Sequence, residues 1–189
     1  MVPDERLITL ARQGNQSAAE NLFRRYYERI FSYLVRMIGD RDLAEDAAQE
    51  AFIRGFRSLK TYRNHGSFKS WIFRIAHREG LRMLKRERRH SMAAPLPKDD
   101  VYQDIADSAP LPEDIVVHHE QLQRLETALE RLNDAERQVV LLRMSEGLPF
   151  KEIAEITGTP LNTVLGRMRN AVKKLRRELN QENAADERG

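Results

Sequence analysis

Apolar residues return at three- and four-residue intervals over most of this chain, with one long interruption. Leu7, Ile8 and Leu10 open a short helix that Gly14 ends. Ala18, Leu22, Phe23, Tyr26, Ile30, Phe31, Leu34 and Ile38 then trace a continuous apolar face, stopped by Gly39-Asp40. A third helix runs from about Asp42 through Ala47, Ala51, Phe52 and Phe56 to about Leu59. After a loop containing Asn64-His65-Gly66-Ser67, a fourth extends from Phe68 to about His90.

The period fails between Ser91 and about Glu113, where four of the seven prolines stand among many acids. This reads as an extended linker over 91–117, between helical domains at 1–90 and 118–180, with a tail at 181–189. Beyond it, Leu122, Leu125, Leu129 and Leu132 form a stripe ended by Asn133-Asp134. Asn133 and Glu136 have the spacing of a capping box, opening a helix through Val139, Val140, Leu142 and Met144. Gly147-Leu148-Pro149 breaks that helix, and Phe150 to Ile156 forms a short one. Thr157-Gly158-Thr159 is a tight turn, with Thr159 capping a last helix that has Pro160 at its first position. Leu161, Val164, Met168, Ala171 or Val172, and Leu175 are expected to face inward. The expected fold class is all-α: an N-terminal helical bundle and a C-terminal helix-turn-helix domain, joined by a flexible acidic Pro-containing linker.

Composition narrows the class. With no Cys, a disulfide framework and a thiolate metal site are excluded, and a reducing cytosol fits. The N-terminal MVPDERLITLARQGNQ has no long apolar run, so neither a signal peptide nor a membrane span is expected. The net charge of +3 conceals a division: residues 1–90 carry 19 Lys/Arg against 11 Asp/Glu, a balance of +8. Residues 91–120 carry one Lys against seven acids, or −6, and residues 121–189 carry 12 against 11, or +1. A basic first half suits a polyanionic partner, which the acidic middle would repel.

Two segments concentrate candidate chemistry. From Tyr62 to Arg89, Tyr62, Phe68, Trp71 and Phe73 precede a dense run of Arg and Lys. Rings followed by cations at helical spacing suit a surface that stacks on bases and neutralises phosphates, or a core helix with a solvated basic face. From Pro149 to Leu175 the punctuation is that of a helix-turn-helix, with Gly158 at the turn. Its second helix offers Asn162, Thr163, Arg167, Arg169, Asn170, Lys173 and Lys174 outward, with Thr159 at its start. Asn and Arg suit base edges, and Lys and Thr suit phosphates; an ordinary helical hairpin with a charged exterior is the alternative. The five His are scattered, and neither a phosphate-binding Gly-rich loop nor a nucleophile motif occurs. No enzyme activity and no cofactor are expected.

LPFKEIAEITGTPLNTVLGRMRNAVKKLRREL resembles the C-terminal DNA-binding region of bacterial RNA polymerase sigma factors. RDLAEDAAQEAFIRGFRSL, followed by FKSWIFRIAHREGLRMLKRERR, resembles their N-terminal domain, and the short two-domain form resembles the extracytoplasmic-function group. The resemblance implies that Asp42, Glu45, Asp46, Gln49 and Glu50 dock on the coiled-coil of the polymerase's largest subunit, with the flap of the second-largest subunit as a further partner. It implies that the loop and helix bearing Tyr62, Arg63, Asn64, His65, Ser67, Phe68, Lys69, Arg74, Arg78, Arg82, Lys85 and Arg86 open the start-proximal (−10) promoter DNA. The helix-turn-helix residues from Thr159 to Lys174 would read the upstream (−35) element. A cytoplasmic location, promoter DNA as partner and an anti-sigma factor are further implications. The chain departs from the family pattern at Arg78, Arg82, Leu165 and Gly166, where DNA sequence would be read. Two other readings stay open: a repressor or activator using the helix-turn-helix without polymerase, and a metal enzyme using the Asp/Glu cluster.

Overall fold

The computed structural model describes residues 2–62, 67–91 and 125–186. The N-terminal half consists of α1 (Asp4–Arg12), α2 (Gln16–Ile38), α3 (Arg41–Ser58), a 3₁₀ turn (Leu59–Thr61) and α4 (Phe68–Ser91). The C-terminal half contains α5 (described over 125–130), α6 (Asp134–Val140), a π-helical turn (Leu141–Ser145), α7 (Phe150–Thr157) and α8 (Leu161–Asp186). Among the described residues there is no strand. The expected linker, apart from Ser91, lies outside the described residues.

Local chemistry sets most helix ends. Asn15 Oδ1 accepts from the Ala18 N–H at 2.9 Å, and Asp40 Oδ1 from the Leu43 N–H at 2.9 Å. Between α2 and α3, Gly39 takes φ +80°, a left-handed conformation that strains any residue with a Cβ. The capping box at Asn133 is present in both directions, with Glu136 N–H donating to Asn133 Oδ1 at 2.9 Å.

α4 is the spine of the N-terminal half, packed on α2 and α3 through Ile72, Phe73, Ala76 and His77. Ala44, Ala47, Ala48 and Ala51 of α3 are fully buried, and small side chains of this kind let helices approach closely. Two glycines extend the same economy. A methyl group on Gly55 would stand 2.8 Å from Ile72 Cδ1, and one on Gly80 2.8 Å from Leu34 Cδ2. The buried Tyr33 hydroxyl and His77 Nδ1 share a hydrogen bond of 2.8 Å. Burial holds the His77 pKa down at about 4, so the ring is neutral in the folded core at pH 7.

The inward face differs from the expected one at several positions. Tyr33 and Met37 join Leu22, Tyr26, Ile30 and Leu34 in the core, whereas Phe23 is 37% exposed. Leu22, Tyr26, Ile30 and Leu34 follow an i, i+4 row, so the adjacent Phe23 and Phe31 fall on its flank. Phe23 instead stacks on Tyr27 at 4.8 Å between ring centres and packs against Phe52 at 4.7 Å. Leu125 and Met144 are exposed, and so is Leu161, because burial on α8 starts one turn later at Val164. Of the alternatives at 171 and 172, Ala171 is the fully buried one. Wide hydrogen-bonded turns replace the α-helix from Leu141, carrying the chain into the Gly147 bend at φ +65°.

Candidate polymerase and nucleic-acid interface

Along α3 the carboxylates and alanines separate by helical geometry. Asp42, Glu45, Asp46 and Gln49 are exposed on one face while the four alanines point into the core. The Gln49 amide donates to Glu45 Oε1 at 3.3 Å, and Glu50 accepts from Arg54 Nε at 2.7 Å. That hydrogen bond is the main reason the Glu50 carboxyl lies below its ordinary pKa. The result is an exposed acidic row with no metal-like convergence; the described residues hold no His/Cys/Asp/Glu cluster able to bind a metal ion. Beside it, Phe23, Tyr27 and Phe56 line an open groove of about 440 Å³. Helical periodicity placed Phe23 in the core, so this groove is a tertiary outcome.

The loop and helix that follow divide their aromatics differently from expectation. Tyr62 and Phe68, two of the rings offered as a base-stacking surface, are 7% and 6% exposed and belong to the core. Tyr62 packs on Trp71 at 5.0 Å and on Phe68 at 5.8 Å, while Phe68 also meets Tyr26 edge-on at 5.4 Å. The Arg12 guanidinium donates to the Leu59 carbonyl at 2.9 Å and to the Tyr62 carbonyl, fixing the start of the loop. Packing rings against one another and closing them with a cation removes their faces from solvent. Trp71 is only partly buried and Phe73 wholly so. Arg63, Asn64 and His65 lie outside the described residues. Ser67 Oγ accepts from the Ser70 N–H at 3.2 Å, capping α4. Arg78, Lys85 and Arg86 are exposed, and Arg82 reaches the buried Glu79 at 3.2 Å together with Arg54 at 3.2 Å.

In the C-terminal half α7 and α8 form the expected helix-turn-helix. Ile153 and Ile156 are buried, and Gly158 turns the chain at φ +63°. The Thr159 hydroxyl meets Thr157 Oγ1 at 2.8 Å and accepts from Arg167 at 3.5 Å. Asn162, Thr163, Arg169, Asn170 and Lys173 are exposed along α8, as a base- and phosphate-contacting face requires. Lys174 differs, since its ammonium pairs with the buried Glu136 at 2.7 Å inside the domain. Gly166 has open space where a Cβ would be.

The two halves touch, and the contact is electrically one-sided. Among the described residues, each ion pair between them joins an N-terminal cation to a C-terminal acid: Arg29 and Lys69 to Glu146, Arg36 to Glu126, Arg74 to Glu155, and Arg88 to Asp134. Glu152 accepts from the Ser67 hydroxyl at 3.3 Å and from the Ser70 hydroxyl. Lys69 also donates to the Glu146 carbonyl, and burial lowers its pKa. Glu146, Glu152 and Glu155 were not among the sequence candidates. Helix-turn-helix logic looks for outward cations on the second helix, and nothing local says what acids before and within the first helix will face.

Comparison with known proteins follows the same division. Residues 22–90 match the family model for Sigma-70 region 2, and residues 122–175 the model for Sigma-70, region 4. The RNA polymerase sigma factor YlaC of Bacillus subtilis is 30% identical over 163 residues, spanning 85% of this chain and 92% of that protein. The ECF RNA polymerase sigma factor SigW of Bacillus subtilis is 30% identical over 176 residues, spanning 91% and 94%. Among solved structures, sigma factor RpoE, crystallised with the anti-sigma factor NepR from Bartonella quintana, superposes with a TM-score of 0.71. That superposition covers 85% of this chain and 96% of RpoE at 18% identity, a likeness of fold.

Proposed function

This chain belongs to the extracytoplasmic-function RNA polymerase sigma factors, and from that premise we propose which of its surfaces carry each step. As a sigma factor it binds core RNA polymerase and promoter DNA and directs promoter-specific initiation. The N-terminal region 2 match, which a free-standing repressor does not need, favours this over action without polymerase.

In our reading, domain 1–90 docks core polymerase through the exposed row Asp42, Glu45, Asp46 and Gln49, with Glu50 held alongside by Arg54. An acidic helical face is complementary to a basic coiled-coil, and such complementarity sets partner choice and association rate. Ser67, Lys69, Arg74, Arg78, Lys85 and Arg86 track the strand of start-proximal DNA as it separates. With Tyr62 and Phe68 buried, the base-contacting part falls to the segment between them. Domain 118–180 reads the upstream element with Asn162, Thr163, Arg169, Asn170 and Lys173 and meets the flap of the second-largest subunit. The chain between the domains lets two weak grips act as one, since tethering raises effective concentration.

The reading places the protein in the cytoplasm, acting as a non-enzymatic factor. None of the described helices is long and apolar enough to cross a membrane. An anti-sigma partner, of the kind RpoE of Bartonella quintana has, is part of the proposal on the family resemblance.

The observation that carries the assignment is the separation on adjacent helices of an exposed acidic row on α3 from the cations of α4. Mixing the protein with core polymerase and a promoter library, then scoring start-site-specific transcripts, tests it. Asp46→Arg should weaken core association by about tenfold or more, since it places like charges at a docking face. Specific DNA binding without core association would defeat the reading.

A further inference from the structure

The contact between the halves falls on the surface assigned to start-proximal DNA. Ser67, Lys69 and Arg74, all in that set, are engaged by Glu152, Glu146 and Glu155 respectively. Carboxylate oxygens presented to a hydroxyl, an ammonium and a guanidinium reproduce the pattern by which such groups hold phosphates. We propose that the free protein adopts an autoinhibited, closed form in which these three acids occupy the places that DNA phosphates take on α4. The proposal rests on the reading of α4 as a DNA surface.

The closed form is selective in what it hides. The acidic row of α3 stays exposed, and so do Asn162, Thr163, Arg169, Asn170 and Lys173 of α8. Docking on polymerase and reading upstream DNA therefore remain possible while the N-terminal end of α4, from Ser67 to Arg74, is covered. Closure is also built to reopen. The Arg74 guanidinium pairs with Glu155 at 2.5 Å, yet its Nε is buried with no acceptor among the described residues. A donor left without a partner penalises the contact it sits in. Lys69 is partly desolvated under Glu146, and its lowered pKa records that cost. Of the remaining pairs, Arg29 meets the buried Glu146 at 2.8 Å, whereas Arg36–Glu126 and Arg88–Asp134 join exposed side chains that salt screens readily.

The absence of Cys allows paired labelling of the full chain. Arg57→Cys and Lys151→Cys place spin labels on exposed sites of α3 and α7. Pulsed dipolar spectroscopy at low salt should give one narrow distance distribution. E146Q/E152Q/E155Q, or high salt, should broaden it and move it outward. Identical distributions for the triple variant and its parent would overturn the closed form.

The second readout is anisotropy of a fluorescent oligothymidylate single strand at low salt. The triple variant should bind about tenfold more tightly than the parent, because several cation sites are released to phosphates. The charge-matched E20Q/E28Q/E130Q, at exposed sites outside the contact, should change affinity by less than about threefold. No gain in the triple variant, or an equal gain in the control, counts against the proposal. Adding Lys69→Ala and Arg74→Ala to the triple variant should return the affinity to the parent's level; an undiminished gain would overturn the shielding of α4. The underlying reading is tested separately by promoter melting with core polymerase in the K69A/R74A protein. Unchanged melting would remove the α4 assignment and the proposal together. Reduced melting without a DNA gain in the triple variant would remove the closed form alone.

Discussion

Compare α4 with α8. Both are long, basic and assigned to DNA, yet α4 is packed by α2 and α3 and met by α7, while α8 keeps a row of polar residues exposed. On α4, Lys69 and Arg74 already have acidic partners from the other half. On α8, Lys174 is neutralised within its own domain, and Arg169 and Lys173 stand in solvent. Counting cations would rank α4 as the stronger polyanion surface. The fold qualifies that ranking for the isolated protein, because Lys69 and Arg74 are claimed by carboxylates of the other half while Arg78, Lys85 and Arg86 stay exposed. A cation is available to phosphate only where no carboxylate of the same chain has claimed it.

The comparison can be broken most severely at the spine of the N-terminal half. Phe73 is fully buried beside Tyr33, so Phe73→Ala should cost about 3–5 kcal/mol in denaturant unfolding followed by Trp71 fluorescence. Trp71 is the chain's single Trp and lies on α4, which makes this signal specific to that half. A loss under about 1 kcal/mol would mean that α4 is surface first and spine second.

Acid provides the next largest effect. The His77 pKa falls from its ordinary 6.5 to about 4 on folding, so the unfolded chain binds the proton more readily. The stability this group contributes is fully present above pH 6.5 and is lost as pH falls toward 4. The loss should reach about 3 kcal/mol, and His77→Gln should flatten that part of the Trp71-detected pH profile. An unchanged slope in the variant would assign the acid sensitivity to carboxylates instead.

Arg169→Ala should cost about 1–3 kcal/mol of binding to an upstream promoter element, already in the isolated protein because the residue is exposed. Lys69→Ala in the isolated protein should leave DNA affinity nearly unchanged until the Glu146 contact is opened. Equal losses from the two substitutions would erase the distinction between the helices.

The smallest effect concerns Gly166. With open space at its Cβ position, Gly166→Ala should stabilise the C-terminal half by about 1 kcal/mol in thermal unfolding. If the α8 backbone approaches DNA closely there, the same substitution should weaken upstream binding. Added stability with unaltered DNA affinity would show that Gly166 serves no contact.

Much of the fold was legible because its signals are local. Gly39, Asp40, the Asn133–Glu136 box and Gly158 act within a few residues of themselves, and each marks a helix boundary where expected. The acidic row of α3 was legible for the same reason, since i, i+4 spacing alone puts Asp42, Asp46 and Glu45, Gln49 together. Tyr62, Phe68 and Phe23 were misplaced because ring burial depends on which helices converge. Arg12, fifty residues earlier in the chain, and Trp71 on the next helix enclose Tyr62. Phe23 is left at the edge of a groove that Phe56 completes from α3.

The sequence by itself determined the helices, their order and the chemical character of each face. These follow from periodicity, capping and turn residues, whose energies act over one or two turns. Only the tertiary structure decided which aromatics are core, which glycines bring helices together, and which cations of α4 are met by acids more than seventy residues later. Such pairings depend on burial and on distances between helices remote along the chain, and no local pattern encodes them.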